Sequence, residues 1–506
     1  MSRRGFLGAA GSAGAALTLA ACGGTGASSV TTSRESSQEA ASVSSSPYRS
    51  QPGLHPPPIH VRRRPAHPGT DAYVLTDAHA GKGQQGPMII DRGGRLKWFM
   101  PVSDGGSTHK RVMNLRVQSY RGQPVITFWI GGLLASHGVG HYEIYDTSYR
   151  KVAEVHAGDG LRGDLHEFLL TPQGTALFTA YGVARGRIPT PDDAGTREAA
   201  YFYCCCQEVD VASGELLLNW RSDKQPIPFS ASRRLPTPGD PTTPWDYFHM
   251  NSINIDPSDG NLIISSRNLW QVYKVQRQTG KLMWRMGGIG SDFEIDRRAH
   301  YAFQHHVTPH ANSVYTIFDN EAGPPDVASQ SRGLVIKVDE KRRKVHFMRE
   351  YHHDPAVLSD ALGSVQPLAG GEMFIGWGES SWFTQWNARG DVLLDARLPG
   401  VISYRAFLQP WEATPAEPPR FAVERVKGRL TVYASWNGAT VHRKWRVLGG
   451  ASAGALQSLQ TAPVDGFEAA IVLSHSPRWL AVEALDAKGD VVGRSEALRV
   501  KRPVAD

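Results

Sequence analysis

The sequence predicts an all-β protein: a six-bladed β-propeller over residues 66–412, followed by a small C-terminal β-sandwich of fibronectin type III or immunoglobulin-like character over 420–506. Three observations predict it. A hairpin with a turn rich in Asp, Ser, Thr or Gly recurs six times, a second apolar hairpin precedes five of those copies, and the spacing breaks at a Pro-rich stretch after which short strands resume.

The recurring hairpin reads MIIDRGGRLKWFM from Met88, YEIYDTSYRKVAEV from Tyr142, QEVDVASGELLLNW from Gln207, YKVQRQTGKLMWRM from Tyr273, VIKVDEKRRKVHFM from Val335 and TQWNARGDVLLDARL from Thr384. Regular self-similarity at such intervals is the mark of a repeat architecture. Ahead of the last five copies stand NLRVQSYRGQPVITFW from Asn114, HEFLLTPQGTALFTAY from His166, HMNSINIDPSDGNLIISSR from His249, HHVTPHANSVYTIFDN from His305 and SVQPLAGGEMFIGWG from Ser364. Two hairpins in succession make the four-stranded sheet of a propeller blade, and a ring of such sheets leaves only short edges. The first blade shows only AYVLTD from Ala72 ahead of Met88, so SYRAFLQPW from Ser403 is expected to return and complete it.

After Trp411 a Pro-rich linker, Thr414 to Pro419, leads into strands such as RLTVYASW, FEAAIVL and WLAVEALDAKGDVVGRSEAL. About 80 residues of short alternating strands with turn signals fit a sandwich.

The chain of 506 residues can bury a large core, and its formal charge of +7 is spread without a block of five or six like charges. Nucleic acid is therefore not an expected partner, whereas small anionic substrates are compatible with the balance. Ser2-Arg3-Arg4 before a short Gly/Ala-rich apolar run, ending in Leu19-Ala20-Ala21-Cys22, reads as a twin-arginine export signal with a lipobox over residues 1–22. Cleavage before Cys22 and acylation of its thiol would anchor the protein to the outer face of the cell membrane. Residues 23–65, rich in Ser, Gly and Pro, read as a flexible tether. The remaining cysteines, Cys204, Cys205 and Cys206, are adjacent on one expected strand and point to alternate faces, which suits buried small hydrophobes better than a disulfide or a metal site.

Chemistry is expected where the inner hairpins begin. His166, His249 and His305 stand at equivalent places in three successive inner hairpins, so they converge on one mouth of the channel. Equidistance from the turn near Ser258 and Asp259 makes Arg267 a cross-strand neighbour of His249, within about one residue. A guanidinium beside imidazoles is an anion site, because its planar fork matches oxyanions. Asn251, two residues after His249, can add an amide donor. Tyr247, Phe248 and Trp245 could hold an aromatic ring or could be core. His306 points away from His305 unless a bulge intervenes, and is a neighbour or a second substrate contact.

The runs His166-Glu167-Phe168, Asp246-Tyr247-Phe248-His249-Met250-Asn251-Ser252, Ser265-Ser266-Arg267, Trp284-Arg285-Met286-Gly287-Gly288, Gln304-His305 and Phe318-Asp319-Asn320 resemble, in order and spacing, the pattern of the arylsulfotransferase family in its shorter actinobacterial and fungal branch. The resemblance covers about residues 70 to 412. It implies an enzyme that moves a sulfuryl group between phenols without a nucleotide sulfate donor, cofactor or metal, through a transiently sulfated histidine. By motif, His305 matches the nucleophile, and His166, His249 and Arg267 match the groups that bind and polarise the sulfuryl oxygens. Position 306 is His where the pattern continues with a small or acidic residue, so either imidazole could attack.

The residues by themselves admit two rivals. Three convergent histidines could bind a divalent ion in a hydrolase or lyase, although Arg267 would repel the cation and no carboxylate motif accompanies them. A propeller could also display a protein-binding face without catalysis.

Overall fold

A computed structural model describes residues 47–66, 72–81, 83–102, 110–237, 243–323 and 326–500. The export signal, the lipobox cysteine Cys22 and the tether as far as residue 46 lie outside the described residues. Among those described, regular structure is β-strand, with helical geometry confined to three-residue 3-10 turns such as Ser222–Lys224.

The repeat of the sequence becomes a repeat of antiparallel meanders. Met250–Ile255, Leu262–Ser266, Gln271–Val275 and Leu282–Gly287 form one four-stranded sheet in simple chain order. His305–His310, Val314–Asp319, Arg332–Asp339 and Lys344–Tyr351 form the next, and Ser364–Pro367, Met373–Gly376, Trp382–Trp386 and Val392–Arg397 another. The two meanders that begin at Arg111–Tyr120 and Gly163–Leu170 are joined into one sheet where Gly163 pairs with Gly140. In each meander the recurring hairpin supplies the third and fourth strands, and its tryptophans Trp98, Trp220, Trp284 and Trp386 are buried between sheets.

The first sheet is closed by the far end of the repeat region. Tyr73–Ala78 pairs with Ala406–Gln409 on one side, Tyr73 opposite Gln409, and with Gly86–Asp91 on the other. The inner strands also touch in a closed circuit: Arg111–Tyr120, Gly163–Leu170, Met250–Ile255, His305–His310, Ser364–Pro367 and Ala406–Gln409, which returns to Arg111–Tyr120. One channel wall is therefore assembled from segments some 300 residues apart.

The period of two builds the cores between sheets. Leu262 and Ile264 enter the cluster shared with the preceding sheet, with Leu177, Cys204 and Cys206, while Ile263 between them enters the next cluster with Ile317, Leu334 and Ile336. Full burial of each such side chain contributes about 1.5–3 kcal/mol, so every sheet is clamped from both faces. The three cysteines are free and buried, and burial pushes the Cys205 thiol up to about 12, which leaves it unreactive.

Beyond Trp411, Arg420–Val426, Arg429–Ser435 and Glu468–Val472 form one sheet. Lys444–Gly450, Leu456–Pro463, Trp479–Leu485 and Val491–Arg494 belong to another, and both share a core around Val432, Trp436, Trp445 and Val482. The Pro-rich linker is pinned, since the Thr414 and Ala416 amides donate to the Thr147 and Ser148 carbonyls at 3.0 Å each.

The tether expectation needs correction from residue 47 onward. His60–Arg63 adds a fifth strand beside Val392–Arg397, and the Ser50 amide donates to the Glu468 carboxylate at 2.6 Å. Alternating Pro and Ser content misled here, because an edge strand needs only a partner with free backbone groups.

Candidate functional site

The inner strands carry their special residues at irregularities of the ladder. Register shifts fall between Met113 and Arg116, Gly163 and Phe168, Met250 and Ser252, and His305 and Thr308. His249 and His306 sit at φ 54° and 49°, in the left-handed region that costs a non-glycine residue about 1–3 kcal/mol. Bulges of this kind re-aim side chains. His249 stands just before one such bulge and His306 lies within another.

His166 and His249 meet edge to face, with ring centroids 4.8 Å apart and an interplanar angle of 82°. Each Nδ1 faces a carboxylate: Asp164 Oδ2 at 2.6 Å for His166 and Asp246 Oδ2 at 2.5 Å for His249. Such pairing fixes the tautomer with Nδ1 protonated and leaves Nε2 for chemistry. His249 Nε2 is buried and has no hydrogen-bond partner among the described residues. Arg267 lies where strand register predicts, its amide donating to the His249 carbonyl at 3.0 Å, with Nη2 3.8 Å from Asp246 Oδ2 and Nε donating to Asn268 Oδ1 at 3.0 Å.

His305 completes the group from the next sheet. Its Nδ1 lies 2.7 Å from Asn320 Oδ1, and its Nε2 accepts a hydrogen bond from the Leu362 amide at 3.3 Å. An acceptor at Nε2 means a lone pair there, which is what a nucleophile needs. Burial, and then the Arg267 charge, hold the His305 imidazole well below the usual histidine range. The same two causes act on His249. Both rings are thus neutral near pH 7, and one guanidinium acts on both.

His306 belongs to other surroundings. Its Nδ1 accepts from the Val365 amide at 3.2 Å, its ring lies 5.5 Å from Phe407, and burial with the charges of Arg405 and Arg116 depresses its pKa. The bulge after His305 separates the two imidazoles. Asn251 is a tie between strands, donating from Nδ2 to the Gln304 carbonyl at 2.7 Å beside His305.

Tyr247 and Phe248 require a correction as ring-binding residues. Both lie in the apolar cluster behind the strand, where the Tyr247 hydroxyl donates to Ser222 Oγ at 2.8 Å and the Phe248 ring stacks on Tyr273 at 5.5 Å. A strand buried on both faces sends alternate residues into the wall, and the left-handed turn at His249 shifts which ones.

Sequence reasoning missed the orienting groups. Asp164 and Asp246 stand two and three residues before their histidines, a signal legible in hindsight as a carboxylate upstream of each imidazole. The expectation that no carboxylate accompanies the histidines is thereby overturned. His137, from the neighbouring sheet, was missed as well: its ring is 5.4 Å from that of His249, and its Nε2 is 3.5 Å from Asp246 Oδ2. Ligand atoms of His137, Asp246 and His249 lie within 4.8 Å of one another, a set that suits a divalent ion in type, though Arg267 beside Asp246 opposes a cation there. Below this level Glu167 accepts from Arg405 Nη1 at 3.1 Å and from Arg116 Nη2 at 2.5 Å, while Arg405 Nη2 donates to the Asn251 carbonyl at 3.1 Å.

No curated protein matches the chain. Among solved structures it is similar to a protein of unknown function from Bacteroides caccae, at 12% identity over 67% of this chain and 99% of that one, with a TM-score of 0.41. Similarity also extends to apo AztD from Citrobacter koseri, at 12% identity over 67% and 99% with a TM-score of 0.34. A catalytically inactive virginiamycin B lyase from Staphylococcus aureus, in complex with quinupristin, matches at 10% identity over 75% and 97% with a TM-score of 0.33. The sequence model of the arylsulfotransferase (ASST) family matches residues 116–398, more than half of the 506, a span that holds His166, His249, Arg267 and His305 together with Asp164, Asp246 and Asn320, and the chain therefore belongs to the arylsulfotransferase family.

Proposed function

We propose that the protein transfers a sulfuryl group from a phenolic sulfate ester to a phenolic acceptor by a ping-pong mechanism, with His305 Nε2 as the nucleophile. In the first half, Nε2 attacks sulfur, the bond from sulfur to the aryl oxygen breaks, and a phenol leaves with a proton from His249. In the second, His249 Nε2 takes the proton of an incoming phenol, whose oxygen attacks the sulfohistidine and restores His305. Microscopic reversibility lets one histidine serve as acid and base. A sulfate ester arriving beside His249 offsets the Arg267 charge and favours the imidazolium the first half needs.

Charge in sulfuryl transfer, as in phosphoryl transfer, spreads over three peripheral oxygens, so positioning and fixed donors do most of the catalysis. Arg267 supplies a fork of donors, with His166 on the other side of the pocket. The observation that carries the reading is the neutral imidazole of His305, oriented by Asn320 so that Nε2 keeps a lone pair, under the influence of the Arg267 charge. The surroundings of His306, against Phe407 and Val365, favour His305 over it as nucleophile.

The six meanders are read as the blades of a propeller and the two C-terminal sheets as a sandwich. The protein is exported by the twin-arginine route and held at the outer face of the cell membrane through Cys22, a reading that rests on the first 22 residues of the sequence.

The test is a donor-alone experiment on the fragment lacking residues 1–22. An aryl sulfate without acceptor releases about one equivalent of phenol in a burst and leaves a sulfated peptide containing His305. His305→Ala loses burst and label while His306→Ala keeps both. Label on His306 would move the nucleophile, and absence of burst, label and turnover with every aryl sulfate tried would remove the activity.

A further inference from the structure

The histidine cluster opens on one side into a cavity that the transfer chemistry above does not use. It has a volume of about 120 Å³, and its apolar walls come from Ile188, Phe202, Leu235 and Trp245. A dry apolar cavity of roughly 150 Å³ accepts benzene, so this somewhat smaller space, lined in part by polar groups, is on the scale of a single aromatic ring. His137 and Asp246 line it as well, and these two residues carry it to His249, whose ring lies 5.4 Å from that of His137.

Some polar atoms of the cavity have no hydrogen-bond partner among the described residues, although His137 Nε2 stands 3.5 Å from Asp246 Oδ2. His137 is 2% exposed, packed at 4.0 Å from the Tyr181 ring and 4.4 Å from that of Phe202, and neither of its ring nitrogens has a hydrogen bond among the described residues. Buried polar atoms left in this way are costly unless a ligand serves them. The remaining wall is basic. Arg197 and Arg234 line it, neither forms an ion pair with a carboxylate among the described residues, and Arg197 Nε is buried without a partner. Arg234 is placed by its own backbone, since its carbonyl accepts from Trp245 Nε1 at 2.8 Å. The one carboxylate in the cavity, Asp246, is engaged by His249.

We propose that this cavity seats the aryl ring of the substrate, and that the phenols handled here carry a second, anionic group, a carboxylate or its equivalent, bound by Arg197 and Arg234. A ring between Trp245 and Phe202 directs its hydroxyl to the His249 side, where His137 hydrogen-bonds it and holds its angle. The anionic substituent then points outward to the guanidiniums, which match carboxylates in a bidentate fork. The inference rests on the sulfuryl-transfer reading for its substrate class and on the cavity for its location.

The test compares 4-hydroxyphenylacetate with 4-ethylphenol, rings of like size with and without the carboxylate, as acceptors for the fragment lacking residues 1–22. The expected result is a KM at least tenfold lower for the carboxylated phenol, with the ratio collapsing toward one in the double variant Arg197→Ala, Arg234→Ala. Titration of tryptophan fluorescence with 4-hydroxyphenylacetate, in the absence of any sulfate donor, is expected to show saturable binding that the double variant loses. Equal KM values in the parent protein, or a ratio the double variant preserves, would overturn the proposal. If neither phenol is sulfated the transfer reading falls, and the fluorescence titration still decides the cavity: saturation that depends on the two arginines upholds the anionic subsite, and its absence overturns it.

Discussion

Asn320 Oδ1 lies 2.7 Å from Nδ1 of His305, and that contact decides which nitrogen of the imidazole carries the proton. Asn320 is itself immobile, its Nδ2 donating to the Ser359 carbonyl at 2.9 Å and to that of Leu362 at 3.2 Å. The amide oxygen can only accept, so Nδ1 keeps its hydrogen and Nε2 its lone pair. Replacing Asn320 by Ala frees the ring to rotate and to exchange tautomers. The expected loss in kcat is about 10- to 100-fold, the scale typical of removing a group that orients a reactive histidine. Pre-steady-state burst rates in the variant check it, because a purely structural lesion would reduce the active fraction, and hence the burst amplitude, rather than the rate.

Asp246 performs the corresponding service for His249, at 2.5 Å from Nδ1. Asp246→Asn presents an amide that can turn its NH₂ to Nδ1 and so favour the wrong tautomer. Losses of about 10²–10⁴ in kcat are expected, the range spanned by general acid–base catalysis and by loss of the orienting carboxylate in a Ser-His-Asp triad. A donor with a good leaving group, such as 4-nitrophenyl sulfate, needs little protonation. The defect should therefore be smaller in the first half-reaction with that donor than in transfer to a poorly acidic phenol, and single-turnover measurements of each half separate the two.

Legibility of this site in the sequence followed the regularity of the backbone. Three histidines at equivalent repeat positions were readable, and counting from the turn placed Arg267 across from His249 because that hairpin keeps its register up to Ser265 and the bulge at Asn251 shifts it by a single residue. The same counting failed one residue on. Once His249 enters the left-handed region, alternation no longer tells which of Tyr247, Phe248 and Asn251 faces the channel. His137 was invisible for a different reason, since it stands at the end of a long hairpin from the adjacent sheet and its approach depends on packing between sheets. Closure by Ala406–Gln409 was legible because the first meander lacked a strand.

The Arg267 guanidinium adds to burial in keeping the neighbouring imidazoles neutral. Burial is the larger cause of the depressed pKa values of His249 and His305, and the Arg267 charge is the next. Arg267→Gln removes a positive charge, so both imidazoles become easier to protonate and their pKa values rise. Because the proposed attack needs neutral His305, the acid limb of the proposed first half-reaction is expected to shift to higher pH in this variant. Arg267→Lys keeps the charge and loses the fork, including the bond to Asn268, so it should leave the limb in place and lower the rate by about 10²-fold. Rate profiles of donor cleavage from pH 4 to 9 distinguish the two effects, and a common shift in both variants would contradict the electrostatic assignment.

Acid should unfold the protein through the same residues. His249, His305 and His306 are buried with depressed pKa values, so below the unfolded value of about 6.5 the unfolded chain binds more protons than the folded one. Stability is therefore full above that pH and declines as pH falls beneath it. Replacing His306 by Gln removes one of these groups from a place apart from the reacting atoms. The thermal midpoint of His306→Gln is expected to fall less between pH 7 and 5 than that of the parent protein.

Among the described residues, Glu167 is the one carboxylate answering two buried guanidiniums, Arg405 and Arg116, in the channel beneath the histidines. Its own burial opposes ionisation, and the two arginines outweigh that and hold it below the usual carboxylate range. The asymmetry makes the partners unequal. Arg405→Met leaves Glu167 with Arg116, a neutral pair, and loses donors to Asn114 Oδ1 and to the Asn251 carbonyl. Glu167→Gln leaves two buried, unneutralised cations, the situation in which removing one partner of a buried pair costs about 3–5 kcal/mol. Denaturant unfolding is thus expected to show a markedly larger loss for Glu167→Gln than for Arg405→Met, and the double variant should recover part of the difference by removing one of the two stranded charges. Equal losses in the two single variants would mean that the hydrogen bonds of Arg405, and not the balance of charge, hold the inner strands together.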